Sequence, residues 1–350
     1  MLILLQYSKS EHVHYTGLKW HQNDILGGNQ VKRYVSKRIL TGLLTILIVF
    51  LINFIIINLA PGDPIKTLMG KETDDPALRA ALEAKYGLDK PLHIQFFSYL
   101  KTAMSGDLGT SIIYNRPVSE MINEKLPATI LLVLTSAILS LIIGTLMGII
   151  AARKEGSAID VIFSGFSYIL NSMPSFWLGL MLIIIFSSVL NLLPTYGMTD
   201  PRVSYKGMAY VMDVLKHMIL PVGTLVLIQI PLYYRIAKSS VLQVTNEDFI
   251  LTLRATGMSE KKIFNKYIFR NAILPTVTIF GISLAYLITG VALIETVFAW
   301  PGTGRLVLTA INQRDYPTLM GIYLVMSISV AVVMMLVDIV YAVLDPRIRY

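Results

Sequence analysis

The chain alternates between six long apolar runs and shorter polar stretches. The runs cover residues 39–60, 129–152, 161–190, 217–237, 273–299 and 317–344. Because a helix needs about 20 mostly apolar residues to cross the hydrocarbon core of a bilayer, each run is long enough for one span. The pattern therefore predicts an all-α membrane protein with six transmembrane helices. Pro174, Pro221 and Pro231 lie in the third and fourth runs, and we expect them to interrupt these two spans.

Lysine and arginine collect in the polar stretches on one side of the predicted spans. These residues are Lys32, Arg33, Lys37, Arg38, Arg153, Lys154, Arg235, Lys238, Arg254, Lys261, Lys262, Lys266, Arg270, Arg347 and Arg349. Since basic loops of membrane proteins face the cytoplasm, this side is predicted to be cytoplasmic, together with both chain termini.

The polar segment of residues 61–128, between the first two spans, is then expected outside the membrane. It contains eight Lys and Arg against nine Asp and Glu, so it has no basic bias. Leu78, Leu82 and Tyr86 recur at helical spacing. We therefore predict an extracytoplasmic helical loop that caps the outer surface.

The basic loop between the fourth and fifth spans, residues 238–272, reads as helix, glycine break and helix. Thr245 and Asp248 have the spacing of a capping box, and Gly257 stands where a left-handed helix end needs a residue without Cβ. Phe249, Ile250 and Leu253 share one face of the first helix. A short cytoplasmic helix with an apolar face predicts docking into a partner protein that drives a membrane pore.

Composition narrows the function further. Of 350 residues, 54% are hydrophobic and only 15% charged, against about 25% charged in soluble domains. The +8 net charge is explained by the cytoplasmic loops and so does not indicate nucleic-acid binding. The chain has no cysteine, which excludes disulfides and thiolate metal sites. Residues 1–30 are polar and irregular, and they predict a disordered extension rather than a histidine-based metal site.

Catalytic motifs are missing from the chain. It has no P-loop, no H-E-x-x-H and no G-x-S-x-G, so ATP binding by a P-loop is excluded and catalysis is not expected. A secondary transporter would need inverted repeats or a membrane-embedded charge relay, and a membrane enzyme would need a clustered catalytic set. The sequence shows neither pattern, and no metal site is predicted.

A few polar residues in or beside the spans are candidates for a transport pathway or gate. Glu295 near the outer end of the fifth span is expected to pair with a nearby arginine at the interface. Asn171 and Gln229 could line a polar path or join helices, and Pro174 could mark a bend in the path. Trp300 and Pro301 follow the fifth span, where they could form either an outer gate or an interfacial anchor.

Several strings carry a resemblance that extends from Arg38 to Tyr350, about nine tenths of the chain. They are LAPGDP from Leu59, KYGLDKPL from Lys85, GDLGTS from Gly106, MPSFWLG from Met173, ETVFAWPGTGRL from Glu295, RDYP from Arg314 and LDPRIR from Leu344. The chain resembles the B-type permeases of dipeptide, oligopeptide and nickel ABC importers. Within it, residues 31–350 would form the permease domain.

The resemblance implies that residues 238–272 are the coupling loop that contacts the ATPases. Gly257 matches the family's glycine, and Arg254 and Ala255 match the peptide branch, while Leu251, Thr252 and Leu253 replace the family's Glu-Ala-Ala signature. It also implies a homologous C-type permease, two ABC ATPase subunits that hold ATP and magnesium, and an extracytoplasmic substrate-binding protein. This chain would bind no cofactor itself. It would work by alternating access in the cell membrane, importing peptides or, alternatively, nickel or another chelated metal.

Overall fold

The computed structural model describes residues 28–59 and 75–344, together with Ile65 and Met69. The chain divides into two compact units between Thr41 and Gly42. The described part of the first unit, residues 28–41, is helical, and the second unit contains all the contacts discussed below. Of the predicted extension, residues 1–27 lie outside the described range, whereas residues 28–30 already belong to the first helix.

The described residues are predominantly helical, as the sequence predicts. The longer helices are α1 (Gly28–Leu59), α4 (Val118–Arg153), α5 (Ala158–Ser172), α7 (Met208–Thr245), α10 (Phe269–Gly290) and α13 (Tyr316–Leu344). The shorter ones are α2 (Pro76–Tyr86), α3 (Leu92–Met104), α6 (Ser175–Leu182), α8 (Asp248–Ala255), α9 (Glu260–Ile263), α11 (Ala292–Val297) and α12 (Thr303–Gln313). Within the described ranges, five helices can cross a membrane, or six spans if one bent pair counts as one.

The bent pair is the predicted third span, and it confirms only one of the three expected proline breaks. Helix α5 and the helix formed by α6 and its π-helical continuation Ile183–Val189 meet at an angle of 107°. Met173, which precedes Pro174, has an extended backbone (φ −87°, ψ 132°) because proline sterically disfavours the helical conformation in the residue before it. Pro221 and Pro231, by contrast, lie inside the continuous helix α7, so the prediction that they interrupt the fourth span was wrong.

The predicted fifth span also differs from the structure. It was expected to continue to residue 299, but α10 ends at Gly290 and α11 follows as a separate helix. Ala299 then has a left-handed backbone (φ 48°), so the chain turns sharply before α12. Glu295 and Trp300 therefore belong to a compact corner rather than to the end of a membrane span. We call residues 295–306 the α11–α12 corner.

Helices α4 and α7 form the most extensive helix pair of the bundle. Every fourth residue on one face of α4 is small and buried: Ser136, Ser140, Gly144, Gly148 and Ala152. A Cβ on Gly148 would lie 2.6 Å from the Tyr234 carbonyl oxygen, so only glycine allows the two backbones this close. Small residues at this spacing let membrane helices pack tightly. The pair therefore forms a closely packed centre for the bundle.

The segment of residues 61–128 contains the helices that the sequence predicts for it. Asp75 caps α2, since its Oδ1 accepts a hydrogen bond from the Ala77 backbone N–H at 2.9 Å. Phe96 of α3 is buried, and its ring packs 5.5 Å from Phe50 and 5.3 Å from Phe54 of α1. Helix α3 is thus fixed to the first span.

Helix α4 connects two groups of contacts at opposite ends of the bundle. In its first third, Ala128 and Thr129 contact the α11–α12 corner. At its other end, Ala152 packs with Ile250 and Ile263 of the connection between α7 and α10. These positions are 23 residues apart, or about 35 Å along a helix, which is close to the thickness of a bilayer. Arg153 and Lys154 thus share one end of the bundle with the basic connection.

Candidate functional site

The connection between α7 and α10, residues 246–268, forms the helix, turn and helix that the sequence predicts. We call it the α7–α10 connection. Gly257 has a left-handed backbone (φ 77°), and its N–H donates to the Arg254 carbonyl oxygen at 3.0 Å. The Met258 N–H donates to the Leu253 carbonyl oxygen at 3.3 Å, which completes the end of α8. The predicted left-handed end at Gly257 is confirmed.

The predicted capping box at the start of α8 was wrong. Helix α8 begins after Glu247, and no side chain caps it. The Thr245 hydroxyl instead donates to the Val241 carbonyl oxygen at 2.6 Å, within α7. Helix α7 continues to Thr245, so this threonine belongs to the preceding helix and its hydroxyl is used there.

The apolar face predicted for docking is divided by the structure. Ile250 is fully buried, and Leu253 packs beside it in the cluster that includes Ala152 and Ile263. These two side chains hold α8 on the chain's own bundle, so the expectation that Ile250 contacts a partner is corrected. Phe249 is exposed, as expected.

Leu251 is an exposed apolar residue on α8 that the sequence argument did not select as a docking residue. It is 67% exposed, against 42% for Phe249. Leu251 lies off the helix face shared by Phe249, Ile250 and Leu253. Neither the helical spacing of apolar residues nor a sequence motif therefore identifies Leu251. Phe249 and Leu251, with the exposed Ala255, leave apolar surface on the side of α8 that is turned away from the bundle.

Charged side chains form contacts on both sides of the Gly257 turn and at the end of the α7–α10 connection that leads into α10. Arg254 donates from Nε to Oε1 of Glu260 at 2.8 Å, so this pair joins α8 to α9 across the turn. The Arg153 guanidinium, at the end of α4, lies 4.6 Å from the centroid of the Phe264 ring. Phe264 begins a π-helical segment, Phe264–Ile268, that leads into α10. The connection is therefore tied to the ends of both α4 and α10.

At the opposite end of the bundle, Glu295 is the centre of the α11–α12 corner. Its side chain is fully buried. Oε1 accepts a hydrogen bond from the Thr129 hydroxyl at 2.6 Å, and Oε2 accepts one from the Arg305 backbone N–H at 2.9 Å. The expected ion pair with arginine is thus corrected: the guanidinium of Arg305 donates instead to the Ala299 carbonyl oxygen at 3.1 Å. Glu295 satisfies its oxygens with a hydroxyl and a backbone donor.

Trp300 is fully buried rather than placed at a membrane surface. Its indole N–H donates to the Ala128 carbonyl oxygen of α4 at 2.9 Å. Phe298 is also buried, and its carbonyl oxygen accepts the Gly197 N–H at 2.8 Å. The interfacial-anchor interpretation of Trp300 is therefore wrong. Pro301 follows directly and is partly buried.

Close packing around Glu295 explains the glycine at position 302. A Cβ on Gly302 would lie 2.0 Å from Glu295 Oε1, which no side chain can occupy. The next residue, Thr303, donates its backbone N–H to the Thr129 hydroxyl oxygen at 2.8 Å. The string from Glu295 to Leu306 is thus a clamp that holds α4 at Ala128 and Thr129, and its glycine is required by contact with the carboxylate.

A second buried carboxylate joins two strings that are far apart in sequence. Asp315, between α12 and α13, is fully buried. Its Oδ2 accepts hydrogen bonds from the Ser111 hydroxyl at 2.5 Å and the Thr318 hydroxyl at 2.8 Å. Oδ1 accepts the Ile112 backbone N–H at 3.2 Å. Asp315 therefore fixes the loop before α4 to the start of α13, a role that sequence reasoning missed.

The remaining pathway candidates are not brought together. Asn171 and Pro174 are exposed at the α5–α6 bend. Both polar atoms of the Gln229 side chain are buried within α7 and have no hydrogen-bond partner among the described residues. None of the hydrogen bonds between described side chains joins Asn171 or Gln229 to the α11–α12 corner.

Comparison with known proteins assigns the family. Residues 144–350 match the model of the binding-protein-dependent transport system inner membrane component, and residues 31–133 match its N-terminal companion. Three curated relatives match about nine tenths of this chain over almost their full length. The oligopeptide transport system permease protein AppB of Bacillus subtilis is 37% identical, covering 91% of this chain and 99% of its own. The dipeptide permease DppB of Alkalihalophilus pseudofirmus (36%) and the glutathione permease GsiC of Salmonella typhimurium (37%) have the same coverage.

Solved structures support the fold. An inward-facing form of the MetNI methionine ABC transporter matches with a TM-score of 0.51 at 16% identity, covering 64% of this chain and 96% of that one. A second crystal form gives 0.52 at 15% identity. At this identity the likeness concerns the fold alone.

Proposed function

The chain belongs to the family of binding-protein-dependent transport system inner membrane components, and we propose that it is the pore-forming permease subunit of an ATP-driven peptide importer. The relatives that match it over nearly their full length are named as oligopeptide, dipeptide and glutathione permeases. These names favour a short peptide as the substrate over nickel or another chelated metal. The multi-pass helical bundle agrees with a membrane pore.

The partners that this function needs are a homologous C-type permease, two ABC ATPase subunits and a binding protein that delivers the peptide. ATP and magnesium would belong to the ATPases, since this chain has no P-loop. The α7–α10 connection is the proposed contact with an ATPase. It presents exposed Phe249 and Leu251 at the basic end of the bundle, on a helix whose other face is anchored by Ile250.

The rigid path through α4 is the single observation that carries the proposed mechanism. Ile250 packs with Ala152 at one end of α4, and the α11–α12 corner clamps Ala128 and Thr129 at the other. When ATP closes the ATPase dimer, movement of α8 would be transmitted along α4 over about 35 Å to the corner. Because packed helices shift between discrete arrangements, such a movement can switch the pore between inward and outward access.

The basic end of the bundle is proposed to face the cytoplasm of a cell membrane. Arg153 and Lys154 lie there with the α7–α10 connection, as the positive-inside rule requires of a cytoplasmic surface. The helical segment that contains α2 and α3 would then face outward, where the binding protein docks.

Uptake into proteoliposomes tests this function. The chain is reconstituted with its C-type permease and both ATPases, and binding protein loaded with a radiolabelled dipeptide or oligopeptide is added outside, with ATP inside. We expect peptide accumulation that depends on ATP and on the binding protein. The matched control replaces the P-loop lysine of the ATPases. Accumulation of nickel chelate without peptide would contradict the substrate class, and uptake by this chain alone would contradict the subunit role.

A further inference from the structure

A groove lies between α5 and α7 at the end of the bundle that carries α8. Its volume is about 310 Å³, at the lower end of the range typical of small-molecule sites. Serine, tyrosine and basic side chains dominate its walls: Ser164, Ser167 and Tyr168 from α5, and Tyr234, Arg235, Lys238, Ser239 and Leu242 from α7.

The charge balance of the groove leaves one cation without an acidic partner. Asp160, at the start of α5, forms an ion pair with the Lys238 ammonium group and also accepts hydrogen bonds from the Ser164 and Tyr234 hydroxyls at 3.3 and 3.4 Å. Lys238 is therefore neutralised. Arg235 is exposed, and its Nε reaches only the Pro231 carbonyl oxygen at 3.4 Å. Within the described part of the chain no carboxylate pairs with Arg235.

A serine hydroxyl without a partner also lines the groove. Ser167 is 3% exposed and lines the groove, yet its hydroxyl forms no hydrogen bond with any described residue. The Ser167 oxygen is not one of the buried unpaired polar atoms of the described residues, so it is accessible from the groove and free to donate to a ligand. Tyr168, which is 69% exposed, extends the same wall towards the surface.

We propose that this groove binds a phosphate group, supplied by the headgroup of an anionic membrane lipid. A guanidinium pairs with phosphate in a bidentate geometry, and hydroxyls such as that of Ser167 can donate to the remaining oxygens. An exposed arginine at the edge of a span belongs in the headgroup layer, because hydrocarbon disfavours it. Basic pockets between membrane helices at this level bind lipid headgroups.

The position of the groove gives the lipid a structural effect. It would bridge α5 and α7, and α7 leads directly into the proposed ATPase contact on α8. A bound headgroup would thus hold the base of α8 in place. The proposal concerns a lipid ligand, so its test is independent of the peptide substrate and can fail while the proposed function holds.

Native mass spectrometry of the detergent-solubilised complex tests the proposal. The complex is titrated with phosphatidylglycerol or with zwitterionic phosphatidylcholine, and bound lipid is counted on each subunit. We expect preferential binding of phosphatidylglycerol to this chain. Arg235→Gln should weaken it about fivefold, the factor that corresponds to about 1 kcal/mol for each basic residue near a membrane surface. Ser167→Ala removes a hydroxyl that no described residue uses, so it should preserve folding and also weaken binding.

Arg270→Gln is the matched control, since it removes an exposed positive charge from the same end of the bundle outside the groove. It should leave lipid binding unchanged. The proposal is overturned if both lipids bind equally, if Arg270→Gln weakens binding as much as Arg235→Gln, or if Ser167→Ala has no effect. Displacement of phosphatidylglycerol by inorganic phosphate or by the peptide substrate would overturn the lipid as occupant. Retention in their presence supports it.

Discussion

Replacement of Gly257 by valine should separate ATPase binding from the folding of the bundle. A Cβ at this position would meet no atom within 4 Å, so the Cβ itself causes no clash. Its cost is conformational, because φ is 77° and a left-handed backbone costs an L-residue about 1–2 kcal/mol. A cost of this size lowers the population of the native turn about 5–30-fold. The cost is small compared with the free energy of unfolding of a domain, but it is large enough to change the placement of α8.

The assay is copurification of the ATPase subunits from membranes, with peptide uptake measured on the same preparations and permease abundance as the reference. Gly257→Val should keep normal abundance and lose most ATPase retention or coupled uptake. Gly257→Asn should lose less, since asparagine tolerates this conformation. Gly156→Val is the matched control: Gly156 also has a left-handed backbone (φ 74°) and open space around its Cβ position, but lies outside the connection.

Two results would refute this reasoning. If Gly257→Val binds the ATPases and transports like the parent, the geometry of the turn has no bearing on the ATPase contact. If Gly156→Val impairs retention to the same degree, the effect reflects general strain in the loops at this end of the bundle. Either result would remove the argument that α8 is positioned for docking.

Three further predictions concern topology and the two buried corners. Cysteine at Ser98 should react with an impermeant maleimide in intact cells and cysteine at Ser259 should not, because the chain is otherwise free of cysteine; the reverse pattern would invert the proposed orientation. Trp300→Ala should lower the free energy of unfolding by about 3–5 kcal/mol, since the ring is fully buried, and should also lower uptake. An unchanged melting temperature would contradict this. Asp315→Ala should lower the melting temperature more than Ser111→Ala, because loss of the carboxylate leaves several buried donors unpaired. Equal effects of the two variants would contradict the role of Asp315 as the shared acceptor.

Local signals in the sequence predicted the parts of the structure that depend on local chemistry. Apolar runs longer than 20 residues must become helices in a membrane, so the spans could be predicted from the sequence. The left-handed backbone at Gly257 could be predicted because such a helix end favours glycine on steric grounds alone. The bend before Pro174 also follows from sterics between neighbouring residues. Pro221 and Pro231 show the limit of that rule, since tertiary packing keeps α7 helical through both.

The directions of side chains at the two ends of the bundle could not be read in the same way. An apolar face such as that of Ile250 can turn to a partner or to the chain's own spans, and the pattern is identical in both cases. Trp300 fits an interfacial belt until the Ala128 carbonyl, 172 residues away, is found beside its N–H. The partners of Glu295 and Asp315 are likewise 166 and 204 residues away in sequence. Only the fold brings these residues together.

Site-directed crosslinking tests most directly the claim that α8 docks on an ATPase subunit. Single cysteines are placed in this cysteine-free chain at the exposed Leu251 and, as a control, at the buried Ile250. The complex is treated with a reagent that joins a thiol-reactive group to a photoreactive group, so that the adduct needs no cysteine on the ATPase. We expect a permease–ATPase adduct from Leu251→Cys, with its yield changing when ATP is bound, and none from Ile250→Cys. A fully modified Leu251→Cys chain that forms no adduct in a transporting complex would contradict the assignment of α8 as the coupling element.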